Sequence, residues 1–114
     1  MTSIEQIKEQ LREFADDRDW NKFHTAKNLI LALVGEVGEL AAEVQWLTAE
    51  EIERRSTDKA IADELADIAM YLIRLSDVLG VDLGEAIAQK LRENREKYPI
   101  EKSRGTALKY NKLT

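Results

Sequence analysis

The chain has 114 residues, a formal net charge of −5, one histidine, one proline and no cysteine. Such a length fits a single domain, 1–114, that buries roughly two-thirds of its unfolded surface. Without cysteine there is no disulfide, thiolate metal site or cysteine nucleophile, which fits a reducing compartment, and so acidic a chain offers no basic face to a nucleic-acid backbone.

The start, "MTSIEQIKEQ", is polar and unlike a signal peptide, and the longest apolar run is broken by glutamates. A soluble cytoplasmic protein without membrane contact is therefore expected. Scarce proline and glycine beside abundant Ala, Leu, Ile, Glu and Lys point to an all-α fold. The first helix is predicted from about Ser3 to Asp17, with Ser3 as N-cap and Gln6 completing a capping box. Ile4, Ile7, Leu11, Phe14 and Ala15 recur at helical spacing as its buried face. "RDWNKFH" leads into a second helix from about Thr25 to Trp46. The acidic segment "TAEEIERRS" opens on a capping pattern, Thr48 to Glu51, and its acids read as surface charge. A third helix runs from about Asp58 to Leu79, where Gly80 is a natural stop. Asp82 and Glu85 begin a fourth that reaches Tyr98, and Pro99 closes it. The remainder, from about 100 to 114, is a basic tail.

The second helix is apolar almost all round. Ile30, Leu33, Val34, Val37, Leu40, Ala41 and Val44 cover one broad side, with Leu31, Gly35, Gly38 and Ala42 opposite. A helix of this kind is buried on more than one side. In so short a chain, a second copy is the simplest cover, with Gly35 and Gly38 permitting close helix approach. A homodimer or homotetramer is expected.

Within "LALVGEVGELAAEVQWL", Glu36, Glu39 and Glu43 lie at i, i+3 and i+7 and form one stripe, and no lysine or arginine occurs between Lys27 and Arg54. In "AIADELADIAMYLI" the only charges are Asp63, Glu64 and Asp67, and Tyr71 continues the stripe of Glu64 and Asp67. Carboxylates ~6 Å apart repel by roughly 2–4 kcal/mol at an effective dielectric near 20. Helical side-chain pairs return only about 0.2–0.5 kcal/mol each. A cation must therefore sit among these groups, or they are protonated, or they face solvent. All-oxygen ligands favour a hard ion, Mg²⁺ with Mn²⁺ as a substitute. Zinc is disfavoured by the shortage of His and Cys, and a di-iron site by the absence of Glu-x-x-His. Glu43 is placed to be an additional or supporting ligand, and Asp63 to be solvated or paired with Arg74.

Glu36, Glu39, Glu64 and Asp67, together with "RDW", "GEVGEL", "KYP" and "SRG", resemble the MazG-like all-α nucleoside triphosphate pyrophosphohydrolases, and most of all their dCTP pyrophosphatase branch. The likeness extends over nearly the whole chain. It implies a four-helix fold assembled as a homo-oligomer, and cleavage of a (deoxy)nucleoside triphosphate, dCTP or a modified dCTP, to monophosphate and pyrophosphate in a pool-cleaning role. It also implies that the four carboxylates hold Mg²⁺ and do the catalytic work; one of the glutamates could take the water's proton, and Glu36 is our choice among them. By the same likeness Trp20 and Trp46 flank the nucleobase, Tyr71 stands near the metal end and Asn94 contacts the nucleotide. His24, Lys109 and Tyr110 are further substrate-binding candidates. The branch carries a histidine three residues before the position of Phe14, where this chain has Leu11, which bears on cytosine preference. A broader dNTP or NTP pyrophosphatase, and a non-catalytic oligomerisation or adaptor domain, are the alternatives.

Overall fold

In the computed structural model, which describes residues 2–114, every regular element is helical. The four long helices fall where the sequence pattern puts them: α1 (Ile4–Asp17), α2 (Ala26–Val44), α4 (Lys59–Val78) and α5 (Leu83–Lys97). Two short helices are added, α3 (Ala49–Arg54) in the acidic segment and α6 (Ile100–Ser103) in the tail, followed by a 3₁₀ turn at Tyr110–Lys112. The chain forms two compact units, one ending at Val81 and the other spanning Asp82–Thr114.

Local chemistry sets the boundaries. Ser3 Oγ accepts from the Gln6 amide while Gln6 Oε1 accepts from the Ser3 amide, so the expected capping box opens α1. Thr48 and Glu51 make the same box at α3. Thr25 and Asp82 cap α2 and α5 through their side chains. Asp58 precedes α4 without capping it, because its carboxylate is taken by Arg55. Gly80 ends the α4 region at φ +70°, a conformation open to a residue without Cβ. The second helix ends at Val44, two residues short of the expected Trp46, which lies in the following turn.

In the first unit α4 packs chiefly against α2 and secondarily against α1. Among the described residues the buried apolar core is small: Ala15, Leu29 and Ile73. Much of the apolar surface of α2 stays open, with Leu31 at 60% and Val34 at 63% exposure. Beyond the backbone of their own helix and their chain neighbours, neither Gly35 nor Gly38 has any atom of the described residues within 4 Å of where a Cβ would stand. Their lack of a side chain is not required by packing within this chain.

In the second unit, Tyr98 and Tyr110 meet edge to face with ring centroids 6.2 Å apart, and the Lys97 ammonium lies 5.0 Å from the Tyr110 ring. No described helix is long and apolar enough to cross a membrane.

Candidate active site

The helical repeat aligns Glu36 with Glu39 on α2, and Glu64 with Asp67 on α4. Packing of these two helices then brings Glu36, Glu64 and Asp67 together, each offering an oxygen within 4.8 Å of the others. Glu39 lies outside that tight triad and borders an adjoining cleft with Ala42, Glu43 and Glu64. One buried oxygen on Glu36 and one on Glu64 find no hydrogen-bond donor.

The electrostatics follow from this crowding. Glu36 has its pKa pushed up to about 7, first by sharing a proton with Glu64, then by burial and by the charges of Glu39 and Asp67. Glu64 is drawn down by the hydrogen bond from Glu36, yet ends above the ordinary value because burial and the charges of Glu39 and Asp67 outweigh it. The repulsion expected from the sequence is thus present at Glu36 and Glu64. It is absent at Glu43, whose carboxylate is 3.1 Å from Arg55. Arg55 also holds Asp58, so it ties the end of α2 to the start of α4. Of the two expectations for Asp63, exposure to solvent holds and pairing with Arg74 does not. Asp63 pairs with Lys59 one turn back on α4, and Arg74 pairs with Asp77.

Glu36 and Asp67 open onto a cavity of about 450 Å³ within the first unit, a size usual for small-ligand sites. Leu11, Phe14, Trp20 and Met70 make its apolar part, and Tyr71, His24 and Arg74 complete the wall. Phe14 and Trp20 stand edge to face at 5.6 Å, and Trp20 and His24 do so at 6.2 Å. The Arg18 guanidinium covers the Phe14 ring at 3.6 Å. The cavity therefore has an anionic side fitted to a cation and an aromatic side fitted to a flat ring.

Trp20, Tyr71 and His24 line this cavity, whereas Trp46 is 86% exposed and does not. Asn94 lies in α5 of the second unit, and Lys109 and Tyr110 lie at its closing 3₁₀ turn. Sequence reading missed the polar group behind the cavity. Arg74 is buried, and its three nitrogens donate to His24 Nδ1 (3.1 Å), Asp77 (3.2 Å) and Asn21 (2.6 Å). Arg12 reaches Asp77 from α1. Arg74 and Asp77 are an i,i+3 pair on α4, but the contacts to His24, Asn21 and Arg12 join residues 50 to 65 apart in sequence, so no local spacing signals those.

Fold and site define an all-α protein with a carboxylate centre beside an aromatic, small-ligand cavity. Residues 32–113 match the model of the MazG-like family. The chain is 44% identical to dCTP pyrophosphatase 1 of Bos taurus, covering 97% of this chain and 68% of that protein. Against the Homo sapiens protein of that name it is 41% identical over the same shares. Its fold is similar to a crystal structure of a pyrophosphatase from Archaeoglobus fulgidus, with a TM-score of 0.78 and 38% identity, over 87% of this chain and 94% of that one. The chain belongs to the MazG-like family, as its motifs led us to expect, and the expectation of a pyrophosphohydrolase enzyme is borne out.

Proposed function

We propose that this enzyme hydrolyses a nucleoside triphosphate between the α and β phosphates, and that its substrate is dCTP or a modified dCTP. The observation that carries this reading is the convergence of Glu36, Glu64 and Asp67 beside a cavity onto which Glu36 and Asp67 open and whose other wall is aromatic. A triphosphate and a carboxylate cluster repel each other unless a divalent cation stands between them. The oxygens on Glu36 and Glu64 that lack a donor fit such an ion, and an all-carboxylate donor set fits Mg²⁺, with Mn²⁺ in its place, rather than a softer metal.

Glu36, Glu64 and Asp67 would hold the ion, with Glu39 joining from the adjoining cleft. When bound, such an ion neutralises phosphate charge and favours attack of water on the α phosphorus. Glu36 is our candidate for taking the proton of that water. Trp20 and Phe14 offer ring faces and edges to the nucleobase, and they share the cavity with Tyr71, whose hydroxyl is a candidate contact to the nucleotide. Trp46 and Asn94 are assigned to the nucleotide by the resemblance, and Lys109 and Tyr110 are candidates for its phosphates by their charge and hydroxyl. Curated relatives that carry the name dCTP pyrophosphatase 1 support cytosine, while Leu11 makes the cavity wall apolar where that branch has histidine. We further propose that the exposed apolar face of α2 is covered by a second copy of the chain.

A panel of canonical and modified deoxynucleoside triphosphates with Mg²⁺, following both products, tests the reaction and the base together. Monophosphate and pyrophosphate in equal amounts, with the cytosine nucleotides fastest, is the expected result. Glu39→Gln and Asp67→Asn should remain folded and lose turnover. Release of single phosphates, or turnover that survives both substitutions, would overturn the proposal.

A further inference from the structure

We propose that His24 reads the bound nucleobase as a hydrogen-bond donor through Nε2, in a tautomer imposed by Arg74, so that the base must turn an acceptor toward it. This rests on the nucleotide reading above and adds a specificity device to it. A guanidinium has only donors and stays charged, so the nitrogen it meets must be an acceptor. Arg74 Nε meets His24 Nδ1 at 3.1 Å. With Nδ1 bearing the lone pair, the one proton of the neutral ring resides on Nε2. Burial, aided by the nearby charge of Arg74, also holds the His24 pKa below its ordinary value, so the ring is neutral at physiological pH.

The lock cannot rotate freely. Asp77 and Asn21 hold the other two nitrogens of the Arg74 guanidinium, and Arg12 holds Asp77. Arg74 is thus a positioning residue acting through His24. Trp20 packs against the imidazole edge to face, which seats it beside the aromatic side of the cavity rather than among the carboxylates. No group of the described chain accepts a hydrogen bond from Nε2, although His24 lines the cavity. Leu11, Phe14 and Met70 offer no side-chain hydrogen bond, so Nε2–H is a directional donor on a largely apolar wall. A ring carbonyl or an unprotonated ring nitrogen satisfies it. An exocyclic amine turned that way leaves two donors facing each other, and such an orientation is rejected.

His24 is the sole histidine of the chain, so ¹⁵N spectra of its imidazole are unambiguous. The expected spectrum of the wild-type protein shows Nε2 protonated and Nδ1 bare, with the Nε2–H signal shifting when a nonhydrolysable deoxynucleoside triphosphate and Mg²⁺ are added. An Nδ1-protonated ring, or an Nε2–H unmoved by nucleotide, overturns the proposal. In kinetics with the best nucleotide, His24→Phe should raise KM about five- to tenfold with kcat little changed, the loss of one neutral hydrogen bond. His24→Gln, which restores an N–H at the distal end, should recover most of it. Competitive inhibition by inorganic tripolyphosphate, which has no base, should be the same in all three proteins. Equal weakening of tripolyphosphate by His24→Phe, or no rescue by glutamine, overturns the base contact. If wild type turns over no nucleotide, the enzymatic reading fails, while the tautomer is still decided by the spectrum.

Discussion

Arg12 on α1 grips Asp77 on α4 through both carboxylate oxygens, at 2.6 and 3.1 Å, and the same carboxylate receives Arg74 at 3.2 Å. The acid side chain is only 10% exposed, and that of Arg74 9%. Two cations thus share one sheltered anion, and the shared anion makes it possible to bury Arg74 behind the cavity.

Removing that anion should be costly. Asp77→Ala leaves Arg74 buried without its counter-charge, and the expected loss is about 3–5 kcal/mol in urea unfolding. Arg12→Ala should cost less, because Asp77 keeps Arg74 and the Arg12 side chain is half exposed. Equal costs would refute the view that Arg74 is the cation dependent on Asp77.

Acid should reveal the same group. The bidentate contact with Arg12, reinforced by Arg74, holds the Asp77 carboxyl below its ordinary value of 3.8. A depressed acid contributes stability that is present above the unfolded value and lost as pH falls through the folded one. The wild-type protein should therefore lose stability more steeply below about pH 4 than Asp77→Ala, a difference measurable by denaturant titration across that range.

The carboxylate triad predicts opposite responses with and without metal. Glu36→Gln removes one of the crowded charges, so without metal its Tm should equal or exceed that of wild type. With Mg²⁺ the order should reverse, because binding to the folded state alone stabilises it, by about 2.7 kcal/mol at a hundredfold excess over Kd. Calorimetry of both proteins with and without Mg²⁺ checks this; a wild-type Tm indifferent to divalent ions would sink the metal assignment.

The aromatic wall can be tested through Trp20. Stacking of a base on an aromatic ring contributes about 1–3 kcal/mol, so Trp20→Ala should raise KM on the order of ten- to a hundredfold. Trp46 lies outside the cavity of the single chain. A comparable effect of Trp46→Ala would show that the site in solution contains more than one chain's first unit displays, and sedimentation of wild type should then report an oligomer.

Gly35 gives an independent reading of the α2 face. Alanine there should stabilise an isolated helix by roughly 0.5–1 kcal/mol, since among the described residues nothing outside its own helix obstructs the new methyl group. If a second copy packs closely against this face, Gly35→Ala should instead destabilise the protein and weaken its association, as should Val34→Glu. Light scattering and thermal unfolding on the same samples separate the two outcomes.

The four long helices, the Ser3–Gln6 box, the Gly80 stop and the two acidic pairs were legible in the sequence because each depends on residues within a turn or two of one another. The same locality made the stripes visible as unpaired charge. Only tertiary packing could decide that Glu36, Glu64 and Asp67 converge most tightly with Glu39 beside them at the adjoining cleft, or that Arg55 pairs with Glu43. Asp77 stands at i+3 from Arg74 and could have been read as its partner, but no spacing announces Asn21 and His24. A helical repeat specifies which side chains share a face. What meets that face depends on how helices distant along the chain pack, and the charge, tautomer and proton affinity of the site are set there.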